Sequence, residues 1–296
     1  MPGGSGGLAR VLTDTGTETS KAGTGRTPIR WADLRLRLIS AVILGPLALL
    51  CLWLGGPAFV LLIGAGAVGV AREWVRLCGA QMTQPAALSV FAGLVAAMAV
   101  TAFAHPLNAL AVLAGAGALS CALARMAGRS GIIGAGVPYI GLAAVALLWL
   151  RQDPAAGRAD LLFLVLTVWA GDIGAYLVGR LVGGPRLAPH ISPGKTWSGA
   201  IGGLLGGCLC GLLVAHLHTT PATTWHVVAI AAALGLIAQA GDLLESLIKR
   251  HFGVKDSGHT IPGHGGLLDR VDGMLTAAPA AALLALVLGR GVLLWQ

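Results

Sequence analysis

The sequence predicts an all-α fold: a polytopic integral membrane bundle of about nine transmembrane helices, with the N-terminus inside the cell. Of its 296 residues 56% are hydrophobic and only 11% are charged, and the mean hydropathy is +0.81. This composition is typical of membrane proteins rather than of globular ones. Apolar runs of about 20 residues, the length that crosses a bilayer, recur along almost the whole chain. Lys and Arg gather in alternate connections between these runs, as the positive-inside rule requires.

The first segment, residues 1–34, is rich in Gly, Ser and Thr and has no apolar run. It predicts a disordered cytoplasmic tail, because such a segment has too little apolar surface to fold. A cleaved signal peptide would need an apolar stretch behind its positive charges. Nine candidate spans follow, and they lie near 36–54, 57–77, 86–104, 107–124, 132–150, 160–179, 199–217, 226–248 and 275–295.

The excess of positive charge predicts the orientation of these spans. The formal net charge is +8. Every second connection carries basic residues, and these are Arg26, Arg30, Arg35 and Arg37, then Arg72 and Arg76, then Arg125 and Arg129, then Arg180, Arg186 and Lys195, then Lys249, Arg250, Lys255 and Arg270. Nine spans therefore leave the N-terminus inside and the C-terminus outside. The charges are scattered between spans without a basic face, which excludes nucleic acid as a partner.

Several apparent motifs carry no function. The five cysteines lie mostly within apolar runs and predict neither a zinc site nor a disulfide framework. Residues 64–69 match the dinucleotide-binding pattern GxGxxG, but no strand precedes them. Gly194, Lys195 and Thr196 resemble the end of a phosphate-binding P-loop, but Pro189 stands where that motif requires glycine.

The acidic residues indicate a functional site. Half of the twelve fall in one region, and they are Asp172, Asp242, Glu245, Asp256, Asp269 and Asp272. Asp172 and Asp242 lie deep in apolar sequence, where an aspartate costs roughly 2.5–3.5 kcal/mol to insert. Such residues usually face a cavity. Asp242, Glu245 and Lys249 are spaced to share one face of a helix. An ion-pair cluster with a purely structural role is the alternative interpretation.

Carboxylates beside cations favour phosphate chemistry. Mg²⁺ commonly takes one or two carboxylates together with substrate phosphates. Five basic residues could neutralise the phosphates, and they are Lys195, Lys249, Arg250, Lys255 and Arg270. Glycine-rich turns also let backbone N–H groups approach phosphate. The combination indicates phosphoryl or nucleotidyl transfer, and the membrane setting favours a lipid phosphate as one substrate.

The acidic and basic residues of the C-terminal half lie in segments that resemble those of a known family. The pattern Ser246-Leu-Ile-Lys249-Arg250, Lys255-Asp256, Pro262-Gly-His264-Gly265-Gly266 and Asp269-Arg270-Val-Asp272 is similar to the signature of the phosphatidate cytidylyltransferases, or CDP-diacylglycerol synthases. An upstream block resembles a second stretch of that family, and it consists of Asp172-Ile-Gly-Ala-Tyr176, Gly179-Arg180 and Ser192-Pro193-Gly-Lys195-Thr196-Trp197. Gly194 and Ser198 depart from the pattern, where Lys and Glu are expected.

The resemblance implies transfer of the cytidylyl group of CTP to phosphatidic acid, with Mg²⁺ and room for a second cation. It implies a homodimer in a bacterial-type plasma membrane, with the active site facing the cytoplasm. Asp242 and Asp269 would be metal ligands, and Lys249 and Arg270 would join them as catalytic residues. The implied substrate-binding residues are Asp172, Ser192, Lys195, Thr196, Arg250, Lys255, Asp256, His264, Gly265, Gly266 and Asp272. Residues 35–160 would then be N-terminal transmembrane helices, and 161–296 the C-terminal transmembrane catalytic region.

Two other functions compete with this one. A CTP-dependent lipid kinase would transfer the γ-phosphoryl group instead of the cytidylyl group. An ion-coupled membrane transporter would also carry intramembrane acids, but it would distribute them over both halves of the chain. Here they crowd into the C-terminal half, which favours the transferase.

Overall fold

The computed structural model describes residues 31–103, 106–218, 223–258, 260 and 265–296, and side chains from residue 42 onward. Within these residues the chain forms nine α-helices, which are α1 Trp31–Leu54, α2 Gly56–Leu77, α3 Pro85–Phe103, α4 Pro106–Met126, α5 Gly136–Arg151, α6 Gly157–Leu181, α7 Trp197–Leu217, α8 Thr224–His251 and α9 Leu268–Leu288. A short 3₁₀ helix, Gly131–Ala135, leads into α5. Most of the predicted tail, residues 1–30, lies outside the described residues, whereas 31–34 belong to α1.

The predicted membrane bundle is confirmed. Among the described residues, eight helices are long and apolar enough to cross a membrane, and they correspond to α2 through α9. The apolar part of α1 with described side chains, Val42–Leu54, is shorter. In eight of the nine predicted spans the helix covers the expected residues to within a few positions.

Successive connections along the chain lie at alternate ends of the bundle. At one end Arg129 donates to the carbonyl of Gly79 at 2.8 Å, which joins the α4–α5 and α2–α3 connections. The hairpin between α6 and α7 and the α8–α9 connection lie at this end too, and we call it the basic end. At the opposite end Arg151 donates to the carbonyl of Leu52 at 2.8 Å, and Gln152 to that of Thr101 at 2.8 Å.

Helices α6 and α7 pack backbone against backbone. A Cβ atom added to Gly174 would lie 2.5 Å from the Gly202 carbonyl oxygen, and one added to Gly206 would lie 2.7 Å from that of Ala170. Small residues allow such close approach between helices in lipid. The packing fixes the position of Asp172 and of the segment that enters α7.

Among the described residues, a small β-hairpin forms that the sequence did not predict. Strand β1 (Arg186–Ala188) pairs antiparallel with β2 (Ser192–Thr196). Gly183 and Gly184 precede it with φ of 66° and 106°, values that L side chains rarely adopt. These glycines turn the chain out of α6, and the hairpin returns it to the start of α7.

The last helix is offset from the predicted span at 275–295. It begins at Leu268, because Asp269 and Asp272 have polar partners and can lie within its first turns. It ends where Gly289 adopts a φ of 93°. The following residues fold back on the bundle, with the Trp295 ring fully buried and its centroid 4.7 Å from that of Phe163.

The orientation in the membrane can be tested with reporter fusions. We expect a reporter fused after residue 129 or 188 to be cytoplasmic and one fused after Gln296 to lie outside, because the basic end collects most of the Lys and Arg side chains. Alkaline phosphatase and fluorescent-protein fusions measure the two locations. A cytoplasmic reporter after Gln296 would contradict the nine-span topology.

Candidate active site

A half-buried lysine joins α8 to α9 at the basic end. The Lys249 Nζ atom lies 2.6 Å from Glu245 Oε2 and 2.8 Å from Asp269 Oδ1. The Glu245 side chain is 1% exposed, and those of Lys249 and Asp269 are each 12% exposed. One cation therefore sits between two carboxylates, and it ties the last turns of α8 to the first turn of α9.

Asp269 also organises the connection that precedes it. Its carboxylate accepts hydrogen bonds from the backbone N–H groups of Ser257, at 3.1 Å, and of Gly266, at 3.2 Å. The residue lies in the first turn of α9, where a negative charge is favourable because the helix dipole is positive there. The structure thus surrounds Asp269 with donors.

Glu245 also forms a group with Asp242 and Asp272, and we call these three carboxylates the acidic cluster. Each offers one oxygen, and these oxygens all lie within 4.8 Å of one another. Both Glu245 oxygens are buried and accept no hydrogen bond of ordinary geometry, although Lys249 lies at ion-pair distance. Such an all-oxygen donor set fits a hard divalent cation.

The hairpin brings Lys195 to this cluster. Its Nζ atom lies 2.6 Å from Asp242 Oδ2, and its side chain is 25% exposed. The next residue, Thr196, is buried and caps α7 by accepting a hydrogen bond from Gly199 N at 3.1 Å. Ser192 begins β2, half-buried, in register with Ala188. In this structure Thr196 therefore positions Lys195 at the end of the strand.

The two positions that depart from the family pattern also lie here. The exposed Gly194 accepts a hydrogen bond from Arg186 through its carbonyl, at 3.3 Å. Ser198 donates its hydroxyl hydrogen to the carbonyl of Gly183. Both residues thus take part in contacts that hold the hairpin.

The remaining predicted residues lie around this centre. Arg250 donates to the carbonyls of Ile191 and Val254, each at 3.2 Å, and so braces the hairpin against the α8–α9 connection. Lys255 and Asp256 are exposed in that connection, and Arg270 is exposed at the start of α9.

Asp172 and His264 also belong to the predicted set. Asp172 is exposed on α6 within electrostatic range of Asp242, Lys195 and Arg270. His264 lies outside the described residues.

The paired glycines of the signature are close to carboxylates. Gly265 has a φ of 85°, which L side chains rarely adopt. A Cβ atom on the buried Gly266 would lie 2.8 Å from both Asp269 Oδ2 and Glu73 Oε2, and it would also meet the Ser257 hydroxyl. The second glycine is therefore required by packing.

Sequence reasoning missed Glu73, and it left Glu245 out of the predicted site. Glu73 of α2 is 1% exposed and accepts hydrogen bonds from Leu267 N at 2.8 Å and Leu268 N at 2.7 Å. The hydroxyls of Ser257, at 2.9 Å, and Thr260 also donate to it. A lone acid inside an apolar span was the available signal. For Glu245 the signal was its position one turn after Asp242.

Known proteins resemble this chain over most of its length. Residues 35–288 match the sequence model of the cytidylyltransferase family. The phosphatidate cytidylyltransferases of Brucella suis biovar 1 (strain 1330) and Brucella melitensis biotype 1 are each 41% identical over 252 residues, 83% of this chain and 91% of theirs. That of Staphylococcus saprophyticus subsp. saprophyticus is 39% identical over 148 residues, 50% of this chain and 56% of its own. The likeness therefore extends into the N-terminal half.

The ion pairs of the half-buried Lys249 predict a stability effect. We expect Lys249→Met to lower the free energy of unfolding by about 3 kcal/mol, because it leaves the buried Glu245 and the half-buried Asp269 without their shared cation. Thermal unfolding of the detergent-purified protein measures the loss. The matched control is Lys255→Met at an exposed position, where a change within about 0.5 kcal/mol is expected. Equal stability of the two variants would contradict a structural role for the Lys249 ion pairs.

Proposed function

The chain belongs to the cytidylyltransferase family, and we propose that it transfers the cytidylyl group of CTP to phosphatidic acid, giving CDP-diacylglycerol and pyrophosphate for phospholipid biosynthesis. The observation that carries the proposal is the acidic cluster with Lys195 on one side and Lys249 on the other. Three carboxylates and two cations contributed by β2, α8 and α9 suit a polyphosphate substrate that arrives with a divalent cation.

The reaction needs no nucleophile from the protein. A phosphate oxygen of phosphatidic acid attacks the α-phosphorus of CTP, and the bond from that phosphorus to the oxygen bridging to the β-phosphate breaks. Pyrophosphate leaves with the bonding electron pair. The side chains of the site then act by positioning the two substrates and by neutralising their charge.

We infer that Asp242 is a ligand of Mg²⁺. A bound Mg²⁺ would polarise phosphate oxygens and stabilise the charge of the leaving pyrophosphate. Glu245 and Asp272 are near enough to Asp242 to complete the protein ligands. Asp269, the second ligand implied by the sequence, is engaged with Lys249 and two backbone N–H groups, so a role for it as ligand requires that ion pair to open.

The cations are proposed to bind the phosphates of both substrates. Lys195 is partly exposed beside Asp242, and Arg270 and Lys255 are exposed at the same end of the bundle. Arg250 donates to one carbonyl of the hairpin, that of Ile191, and to one of the α8–α9 connection, that of Val254, and so keeps the hairpin that carries Lys195 beside the connection. The other substrate-binding residues of the proposal are Asp172, Ser192, Thr196, Asp256, His264, Gly265, Gly266 and Asp272.

We propose that this end of the bundle faces the cytoplasm of a bacterial-type plasma membrane. CTP then reaches the site from water, and phosphatidic acid reaches it from the bilayer. A homodimer, which the family resemblance implies, belongs to the same proposal. Light scattering of the purified protein in detergent of known mass measures its oligomeric state.

Labelled CTP separates the proposed reaction from the two alternatives. With phosphatidic acid vesicles and Mg²⁺, we expect label in the α-phosphate to enter the lipid and label in the γ-phosphate to leave in pyrophosphate. A lipid kinase would place the γ label in the lipid instead. If neither label entered the lipid, the transferase proposal would fail. Ion uptake by proteoliposomes would then test the transporter alternative.

Carboxamide substitutions test the metal ligands. We expect Asp242→Asn and Asp269→Asn each to accumulate normally yet lose nearly all cytidylyl transfer, because each loses an anion and keeps its size. Binding of Mn²⁺, followed by electron paramagnetic resonance, then distinguishes ligands from neighbours. A ligand substitution weakens Mn²⁺ binding, whereas Asp153→Asn at the opposite end should leave it unchanged. Near-normal turnover of Asp242→Asn at limiting Mg²⁺ would remove Asp242 from the ligand set.

A further inference from the structure

Glu73 lies in the first half of the chain yet contacts the signature segment, residues 246–272, on both sides of the α8–α9 connection. Its carboxylate accepts hydrogen bonds from Ser257 Oγ, at 2.9 Å, and from the Thr260 hydroxyl, both on the α8 side of the connection. On the α9 side it accepts from the N–H groups of Leu267, at 2.8 Å, and Leu268, at 2.7 Å. The two carboxylate oxygens of Glu73 thus accept four hydrogen bonds from residues that follow it by more than 180 positions in the sequence.

The Leu267 and Leu268 N–H groups are those at the start of α9, which have no partner within the helix. Glu73 supplies that partner from another helix and places its negative charge at the positive end of the α9 dipole. The first turn of α9 carries Asp269 and Arg270. The position of Glu73 therefore determines where these two side chains lie.

Ser257 extends this control to the ion pairs. The serine is 8% exposed, and it donates its hydroxyl to Glu73 while its N–H donates to Asp269. Asp269 in turn pairs with Lys249 at 2.8 Å. A continuous chain of polar contacts thus runs from Glu73 through Ser257 and Asp269 to Lys249, beside the acidic cluster.

The packing around Glu73 is equally specific. A Cβ atom on Gly69, one turn earlier in α2, would lie 2.6 Å from Leu267 Cδ2. A Cβ atom on Gly258 would lie 3.1 Å from Glu73 Oε1, and one on Gly266 would lie 2.8 Å from Oε2. Three glycines, one on α2 and two in the α8–α9 connection, thus leave room for this carboxylate and its partners.

We propose that Glu73 is a positioning residue for cytidylyl transfer: it fixes both flanks of the signature segment so that Asp269 and Lys249 are held in place. This inference rests on the proposed function. Glu73 is 1% exposed and its carboxylate is occupied by donors from the protein, so its effect passes through the residues it holds.

The main test compares Glu73→Gln with Asp160→Asn in the full-length protein. Asp160 is a matched control: it is 2% exposed, it also accepts a backbone N–H, that of Leu294 at 2.9 Å, and it lies at the opposite end of the bundle. In Glu73→Gln one oxygen becomes an NH₂ group that opposes the N–H donors. We expect kcat to fall roughly 10- to 100-fold, the usual effect of displaced active-site groups, with the KM for CTP changed by less. Asp160→Asn should keep kcat per folded molecule.

Hydrogen exchange gives a readout that does not need the reaction. We expect the amides of Leu267 and Leu268 to exchange roughly 10- to 100-fold faster in Glu73→Gln than in wild type, because they lose hydrogen bonds to a charged acceptor. In Asp160→Asn their exchange should be unchanged. If wild type forms no CDP-diacylglycerol but this exchange pattern appears, the proposed function fails while the role of Glu73 in fixing the segment stands.

Further variants keep the test decisive if Glu73→Gln does not fold. Ser257→Ala removes one hydroxyl donor to Glu73 and keeps the N–H that binds Asp269, so kcat should fall by a smaller factor. Glu73→Asp keeps the charge on a shorter side chain and should recover part of the activity that Glu73→Gln loses. The proposal is overturned if Ser257→Ala and the folded Glu73 variants keep wild-type kcat, or if the amides of Leu267 and Leu268 exchange at the wild-type rate in Glu73→Gln.

Discussion

Buried carboxylates in a membrane bundle must find cations or N–H donors, and this requirement shapes the whole basic end. A lone ionised carboxylate in apolar surroundings is strongly unfavourable, whereas one with a cation and several donors is tolerated. Lys249 serves two carboxylates at once. Asp269 adds backbone donors from Ser257 and Gly266. The fold of the α8–α9 connection follows from this pairing, because its N–H groups point toward the acids.

The N-terminal half of the chain is part of the same arrangement. Helix α2 supplies Glu73 as the acceptor for the far side of the connection and Gly69 as the gap into which Leu267 fits. Gly69 closes the apparent GxGxxG motif, so a physical need explains this member of it. A Cβ atom on Gly64 or Gly66 would meet nothing within 4 Å, which is consistent with a chance match for the rest.

The sequence predicted the elements of the fold better than the contacts of the site. Apolar length and the alternation of Arg and Lys located the spans, since insertion in lipid depends on composition along the chain. The start of α9 was missed because Asp269 and Asp272 look too polar for a helix until Lys249 and the backbone donors are placed beside them. The helical face of Asp242, Glu245 and Lys249 was visible in the spacing. The partners of Glu73 could not be predicted from spacing, because they are set by packing between helices distant in sequence.

The length of α8 sets the depth at which the chemistry takes place. The helix has 28 residues, so at 1.5 Å per residue it is about 42 Å long, and the hydrocarbon core of a bilayer is only about 30 Å thick. Asp242 follows the first residue of α8 by roughly 27 Å on the same scale. With the first residue of α8 at one edge of the hydrocarbon core, the carboxylates lie near the opposite edge, where the hydrocarbon gives way to the head groups. A lipid phosphate already sits at that level, so the lipid substrate can react without being lifted out of its leaflet.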